Sequence, residues 1–211
     1  MKPTRIRTAG VTAVAALALP MTLGVLAPQA SADTPSPSSS MSSSSSASPS
    51  DNKPFGPGCS SLPSSGNGST AEMVKARVVT AAEQNPDLSM LVSAIKKAGL
   101  TDSLNNAKDS TVFAPTNAAF HKLGKAKVAA LLKDKVELKK VLSYHVVEKK
   151  EIKPSELANG SFTTLEGSKL TTSGSGDSYK VNGTAPITCG NISTANAKVY
   201  LVDGILMPPS S

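Results

Sequence analysis

Residues 111–120, Thr-Val-Phe-Ala-Pro-Thr-Asn-Ala-Ala-Phe, confine the fold more tightly than any other stretch of the chain. Thr111, Val112 and Phe113 are β-branched or aromatic and suit the pleated, half-buried surface of a strand. Pro115 has no N–H to add to a ladder and biases Ala114 towards extended backbone, so the strand stops there. Thr116 or Asn117 can then offer a side-chain oxygen to the free N–H groups of the next turn, which starts a helix carrying Phe120 and Leu123 inward. A strand that passes through a proline straight into a capped helix calls for a sheet with helices packed on it.

The helical period governs the first half of the chain. Met73, Val74, Val78 and Ala81 recur at helical spacing behind Thr70, a predicted N-cap, and Pro86 closes that helix. Asp87 is the predicted cap of a second helix whose stripe is Leu88, Leu91, Val92, Ile95 and Ala98, terminated by Gly99. Val128, Leu131 and Leu132 continue the pattern, and Asp134 with Glu137 has capping-box spacing ahead of Leu138, Val141 and Leu142. The period then shortens to two. Residues 162–165, 169–172 and 179–181 are short β-type runs between Gly, Ser and Asp turns, residues 187–192 add another, and residues 198–201 and 205–207 flank an Asp203-Gly204 turn. The expectation is one α+β domain over residues 70–211, with antiparallel hairpins in its second half and enough length to bury a core.

Residues 1–32 read as a cleaved secretory signal peptide. Lys2, Arg5 and Arg7 precede an apolar run interrupted by Pro20 and Gly24, and Ala30-Ser31-Ala32 offers small residues for cleavage. The run reaches the roughly 20 residues of a spanning helix only by including Pro20 and Gly24. Arg5 and Arg7 are not adjacent, and no Cys sits at the cleavage site to receive a lipid. Without this segment the basic count falls from 22 to 19 against 15 acidic residues, so much of the apparent basicity is targeting sequence. The other lysines are dispersed, with pairs at Lys96-Lys97, Lys139-Lys140 and Lys149-Lys150, and there is no Trp. Nucleic-acid binding wants a basic stripe or stacking platforms, and neither is visible. Weak attraction to anionic cell-wall polymers or membrane surfaces is compatible with these lysines, beside the plainer reading of a solvated mixed-charge surface.

Residues 33–69 are Ser, Pro, Gly and Asn with almost nothing apolar, too little to offset the entropy of ordering. They read as a flexible spacer or an O-glycosylated stalk. Cys59 and Cys189 are even in number and lack metal-type spacing, and the signal peptide directs them to an oxidising compartment. An intramolecular disulfide tying the end of the spacer to the domain is the economical reading, with two free thiols or an intermolecular pair as the alternatives. Catalytic patterns are missing: His121 and His145 are the only histidines, and neither a nucleophile elbow nor a P-loop occurs. Neither His has local ligand partners for a metal. No enzyme activity, cofactor or metal is expected.

Three segments carry a family resemblance in fixed order. They are Phe113-Ala114-Pro115-Thr116-Asn117 with Phe120, then Val141-Leu142-Ser143-Tyr144-His145-Val146-Val147, then Val199-Tyr200-Leu201-Val202-Asp203-Gly204-Ile205-Leu206-Met207-Pro208. Together they resemble the signatures of the fasciclin domain, and the chain is similar to secreted single-domain bacterial members. The resemblance implies a β-sandwich wedge with helices packed along one side, in which Phe113, Pro115, Thr116, Asn117, Phe120, Asp203, Gly204 and Pro208 are structural positions. In animal fasciclin adhesion proteins the Tyr-His region is implicated in integrin binding, which makes Tyr144 and His145 candidate interaction residues. Their place at the end of an amphipathic helix favours a packed, structural role. A second adhesive element in those proteins is an acidic residue followed by Ile; the matching pair here is Asn191-Ile192, without the acid. The function implied is a secreted, monomeric, non-catalytic module that binds extracellular protein, matrix or cell-wall material, loosely held at the wall. The alternative is a carrier of a lipid or small apolar ligand between helices and sheet.

Overall fold

The computed structural model describes residues 53–63 and 65–209. The expected signal peptide, and the spacer as far as residue 52, lie outside the described residues. In chain order the elements are α1 (Thr70–Met73), α2 (Val78–Glu83), α3 (Ser89–Ala98), α4 (Thr101–Asn106), β1 (Ser110–Pro115), α5 (Asn117–Leu123), α6 (Lys125–Lys133), α7 (Lys135–Tyr144), β2 (Val146–Val147), β3 (Asn159–Thr163), β4 (Lys169–Ser175), β5 (Ser178–Val181), β6 (Ala185–Ser193) and β7 (Ala197–Val202). Short 3-10 turns stand at Pro57–Ser61, Pro86–Leu88 and Pro154–Leu157. The class is α+β, as the sequence implies.

The strands form one sheet in the order β2-β1-β7-β6-β5-β4-β3. All neighbours are antiparallel except β1 and β7, which run parallel from Ser110↔Ala197 to Pro115↔Val202. The Leu165 N–H donates to the Val146 carbonyl at 2.7 Å, joining the loop after β3 to β2. The two ends of the sheet therefore meet, and it closes into a near-barrel wedge.

Every residue of β1 and β7 is buried, which follows from their central place between two apolar layers. The strand period sorts their side chains. Val112, Ala114, Val199 and Leu201 face a core shared with the helices, whereas Phe113, Tyr200 and Val202 point into the wedge among Ile152, Leu157, Leu170 and Val181. β1 ends at Pro115, and the Thr116 N–H makes one last bond to the Val202 carbonyl at 3.0 Å before α5 departs.

Four local expectations are corrected. The single helix expected from Thr70 past Ala81 is two helices, because Arg77 is extended and two distant asparagines take over the next N–H groups. Asn196 Oδ1 accepts from Val78 N–H at 2.9 Å and Asn105 Oδ1 from Val79 N–H at 3.2 Å, and Val74 is left half exposed. The first cap is Ser69, which accepts from Glu72 N–H. Asn85, rather than Asp87, caps the turn that leads into α3. The hairpin expected around Asp203-Gly204 does not form, since β7 is already flanked by β1 and β6 and has no free edge for residues 205–207.

The fold also takes in residues that the composition assigns to the spacer. Phe55 exchanges both backbone bonds with Gly190, at 3.1 and 2.8 Å, and its ring meets Tyr179 edge-on at 5.3 Å. Cys59 is joined to Cys189. One aromatic ring and one cystine thus hold a segment whose remaining residues have little to bury. Gly190 is required by this packing, because a Cβ there would lie 2.6 Å from Phe55 Cζ and 2.7 Å from Tyr200 Cδ1. Gly190→Ala is expected to lower stability by about 2 kcal/mol through overpacking. Urea unfolding that returns the wild-type midpoint would contradict this reading of the Phe55 contact.

Candidate functional site

The four candidate interaction residues are all interior: Tyr144 is 2%, His145 2%, Asn191 1% and Ile192 0% exposed. Tyr144 ends α7 and reaches across the wedge. Its hydroxyl donates to the Lys169 carbonyl at 2.9 Å and accepts from Asn182 Nδ2 at 2.8 Å, while Asn182 Oδ1 accepts from the Thr171 N–H at 2.9 Å. One phenol thereby fastens α7 to β4 and to the turn after β5.

His145 fastens the same corner to the closing segment. The Leu206 N–H donates to Nε2 at 3.0 Å, so Nε2 carries no proton, and Nδ1–H donates to the Val141 carbonyl at 2.7 Å. The His145 carbonyl accepts from the Phe113 N–H at 2.8 Å, which ties in β1. Burial disfavours the imidazolium and lowers the pKa to about 4, against a smaller upward pull from the Val141 carbonyl. A neutral imidazole bonded on both nitrogens has no free atom for base or metal chemistry.

Asn191 and Ile192 do different work. β6 slips in register against β7 between Cys189 and Ile192, and Asn191 sits in that bulge at φ 60°, a conformation Asn tolerates better than most residues. Its Oδ1 accepts from the buried Lys198 Nζ at 3.0 Å, and its Nδ2 donates to the Lys53 carbonyl at 3.0 Å. That division explains why an acid does not stand here: an aspartate could answer Lys198 but has no donor for Lys53. Ile192 faces the helix-side core beside Val112 and Val199. The two pairs anchor different parts of the fold and do not make one surface.

The structural motif residues lie on β1, at and within α5, and in the segment that follows β7. Phe113 stacks on Tyr200 at 5.6 Å, and Phe120 is buried. Thr116 holds the N-cap position of α5 without a side-chain cap bond. Asn117 turns away from its own helix to clamp the start of α3, its Oδ1 accepting from Met90 N–H and its Nδ2 donating to the Pro86 carbonyl, both at 3.0 Å. Asp203 pairs with Lys122, Gly204 lies so close to Ala185 that a Cβ would approach it to 2.9 Å, and Pro208 follows the buried Leu206. Sequence reasoning missed Asn105, Asn182 and Asn196, whose side chains serve distant backbone, and Lys198, whose buried Nζ donates to the side chains of Asn191 and Ser193; the only local signal was Asn and Lys within otherwise apolar or turn sequence.

The space between helices and sheet holds an apolar cavity of about 20 Å³, lined by Met73, Val79, Leu91, Leu104, Val112 and Val199 among others. That is about the room of one water and far below an acyl chain. Among the described residues, no three His, Cys, Asp or Glu side chains converge as a metal site, and no helix is long and apolar enough to cross a membrane.

With this geometry in place, the chain matches the fasciclin domain family model over residues 86–208. The chain belongs to the fasciclin family. It is 42% identical over 164 residues to the cell surface glycolipoprotein MPB83 of Mycobacterium bovis, covering 74% of this chain and 73% of that protein. It is 40% identical over 163 residues to the immunogenic protein MPB70 of the same species, covering 74% and 82%. A solved fasciclin-domain pair from the insect cell adhesion molecule Fasciclin I superposes with a TM-score of 0.54 at 17% identity, covering 65% of this chain and 52% of that one. The insect pair shares the fold; the mycobacterial proteins are fasciclin relatives of similar reach.

Proposed function

We propose that this fasciclin protein is a secreted, non-catalytic interaction module that binds extracellular protein, matrix or cell-wall material through its outer surface. The observation that carries the reading is the filled interior: Tyr144, His145 and the cystine hold the fold, and about 20 Å³ is left between helices and sheet. Likeness to a mycobacterial cell surface protein supports the cellular address. In this reading residues 1–32 are removed on export, and the Ser-rich stretch beyond them spaces the domain from the surface that holds it.

The test is co-sedimentation of the purified secreted chain with cell-envelope material from its own host. Saturable retention is the expected result. A folded protein that stays wholly in the supernatant would count against the module. Denaturing mass analysis of the same sample is expected to give a chain starting at Asp33, lighter by two hydrogens before reduction.

A further inference from the structure

Six of the lysines stand on one helix pair. Residues 125–144, spanning α6 and α7, hold six lysines and two acids, whereas the other described residues hold 13 basic and 11 acidic side chains. The excess positive charge is concentrated there. All six of these lysines are exposed, and the ion pairs among the described residues, Glu72–Lys75, Glu83–Lys96, Lys122–Asp203 and Lys150–Glu156, use none of them. Of the two acids, Asp134 is taken up by the backbone, its Oδ1 accepting from Val136 and Glu137 N–H at 2.9 and 3.0 Å.

Part of this surface is concave. A hollow of about 470 Å³ is lined by Ala98, Lys135, Val136, Lys139, Lys140 and Ser143, with Glu166 as its one acid. It shares Val136, Lys140 and Glu166 with a second, more acidic hollow of about 510 Å³, which also carries Asp134 and Glu137 and continues to Met207 and Pro208. The result is an open groove across α7 whose lysines, Lys135, Lys139 and Lys140, line its first hollow.

Other features decide what such a groove can take. Every Phe and Tyr ring is buried and the chain has no Trp, so the surface lacks both interfacial aromatic anchors and platforms for base stacking. Recognition there is ionic, and Lys offers point charges rather than a bidentate fork. A groove receives a chain, whereas a flat bilayer would meet only its rim.

We infer that the α7 groove docks a linear anionic polysaccharide of the cell envelope, a reading that rests on the surface-binding module proposed above. Polygalacturonate is the probe, titrated against the full secreted chain at several salt concentrations. Lys135→Glu, Lys139→Glu and Lys140→Glu together are expected to weaken binding at least about tenfold and to flatten the salt slope by about 2. The matched control, Lys97→Glu, Lys169→Glu and Lys180→Glu, makes the same charge change elsewhere and is expected to stay within about twofold. A Gln version of the α7 set, checked by thermal unfolding, separates loss of charge from loss of fold.

Equal weakening by both Glu sets overturns the inference, as does tighter binding to vesicles of phosphatidylcholine and phosphatidylglycerol or to single-stranded DNA. Envelope retention is measured on the same proteins. If the folded α7 variant is retained as well as wild type, the groove is overturned and the module stands; if wild type is not retained, both fall.

Discussion

Replacing Cys59 and Cys189 together by Ser is expected to lower the free energy of unfolding by about 5 kcal/mol, the chain-entropy figure for a loop of this size. The bond links residues 130 apart. Domains of this size are stable by about 5–15 kcal/mol, so the change takes a large share of the whole. Its local effect is equally specific. Cys59 lies in the turn that follows Phe55, and Cys189 precedes Gly190, so the cystine stands beside the backbone pairing of Phe55 with Gly190 on β6. Once it is gone, the Phe55 and Gly190 amides are expected to exchange faster than those of β1 and β7. Urea unfolding of oxidised and reduced protein, with hydrogen exchange on each, checks both parts. An unchanged midpoint after reduction would contradict the account.

The second large effect is acid destabilisation through His145. The folded protein keeps this imidazole neutral down to about pH 4, whereas an unfolded chain takes up the proton near 6.5. Between those values the unfolded state binds more protons, so stability rises with pH across the window. The contribution is fully present above 6.5 and is lost as pH falls towards 4, by about 3 kcal/mol for the cited shift. The structural reason is direct: protonating Nε2 removes the acceptor of the Leu206 N–H and places a charge in the interior. His145→Leu is expected to cost about 3 kcal/mol at neutral pH, leaving the Leu206 N–H and Val141 carbonyl unpaired, and to flatten the dependence between pH 4 and 6.5. Denaturant melts of both proteins over that range decide it; a variant as acid-sensitive as wild type would show that another group governs the slope.

The parts of the fold that sequence discloses are those set by neighbouring residues. The β-branched and aromatic run at residues 111–113, the stop at Pro115, the stripe of α3 with Gly99 in the left-handed cap, and the Asp134 cap of α7 all express themselves within one turn or one strand. Distant partners are a different matter. Asn117 has every local credential of an N-cap, yet its side chain is used 27 residues back on Met90, because the sheet brings the start of α3 within reach. Asn196 breaks an expected helix from 118 residues away. β1, paired parallel, and β6 fill the two edges of β7 and so remove the hairpin that Asp203-Gly204 suggests.

The candidate site was legible to a similar degree. A Tyr-His pair at the end of an amphipathic helix already favours the core, and the structure adds what holds each ring: Lys169 and Asn182 for the phenol, Val141 and Leu206 for the imidazole. The lysines had no local pattern to read. Spacing along α6 and α7 brings them together only when both helices exist.

Native mass spectrometry of the protein recovered from its own host bears most directly on whether this fasciclin domain works at its surface. The expected spectrum is the bare processed chain, with no small-molecule adduct that disappears on denaturation. A lipid-sized adduct lost on denaturing would contradict it, because a cavity of about 20 Å³ would have to open by many times its volume, and the working site would then lie between helices and sheet.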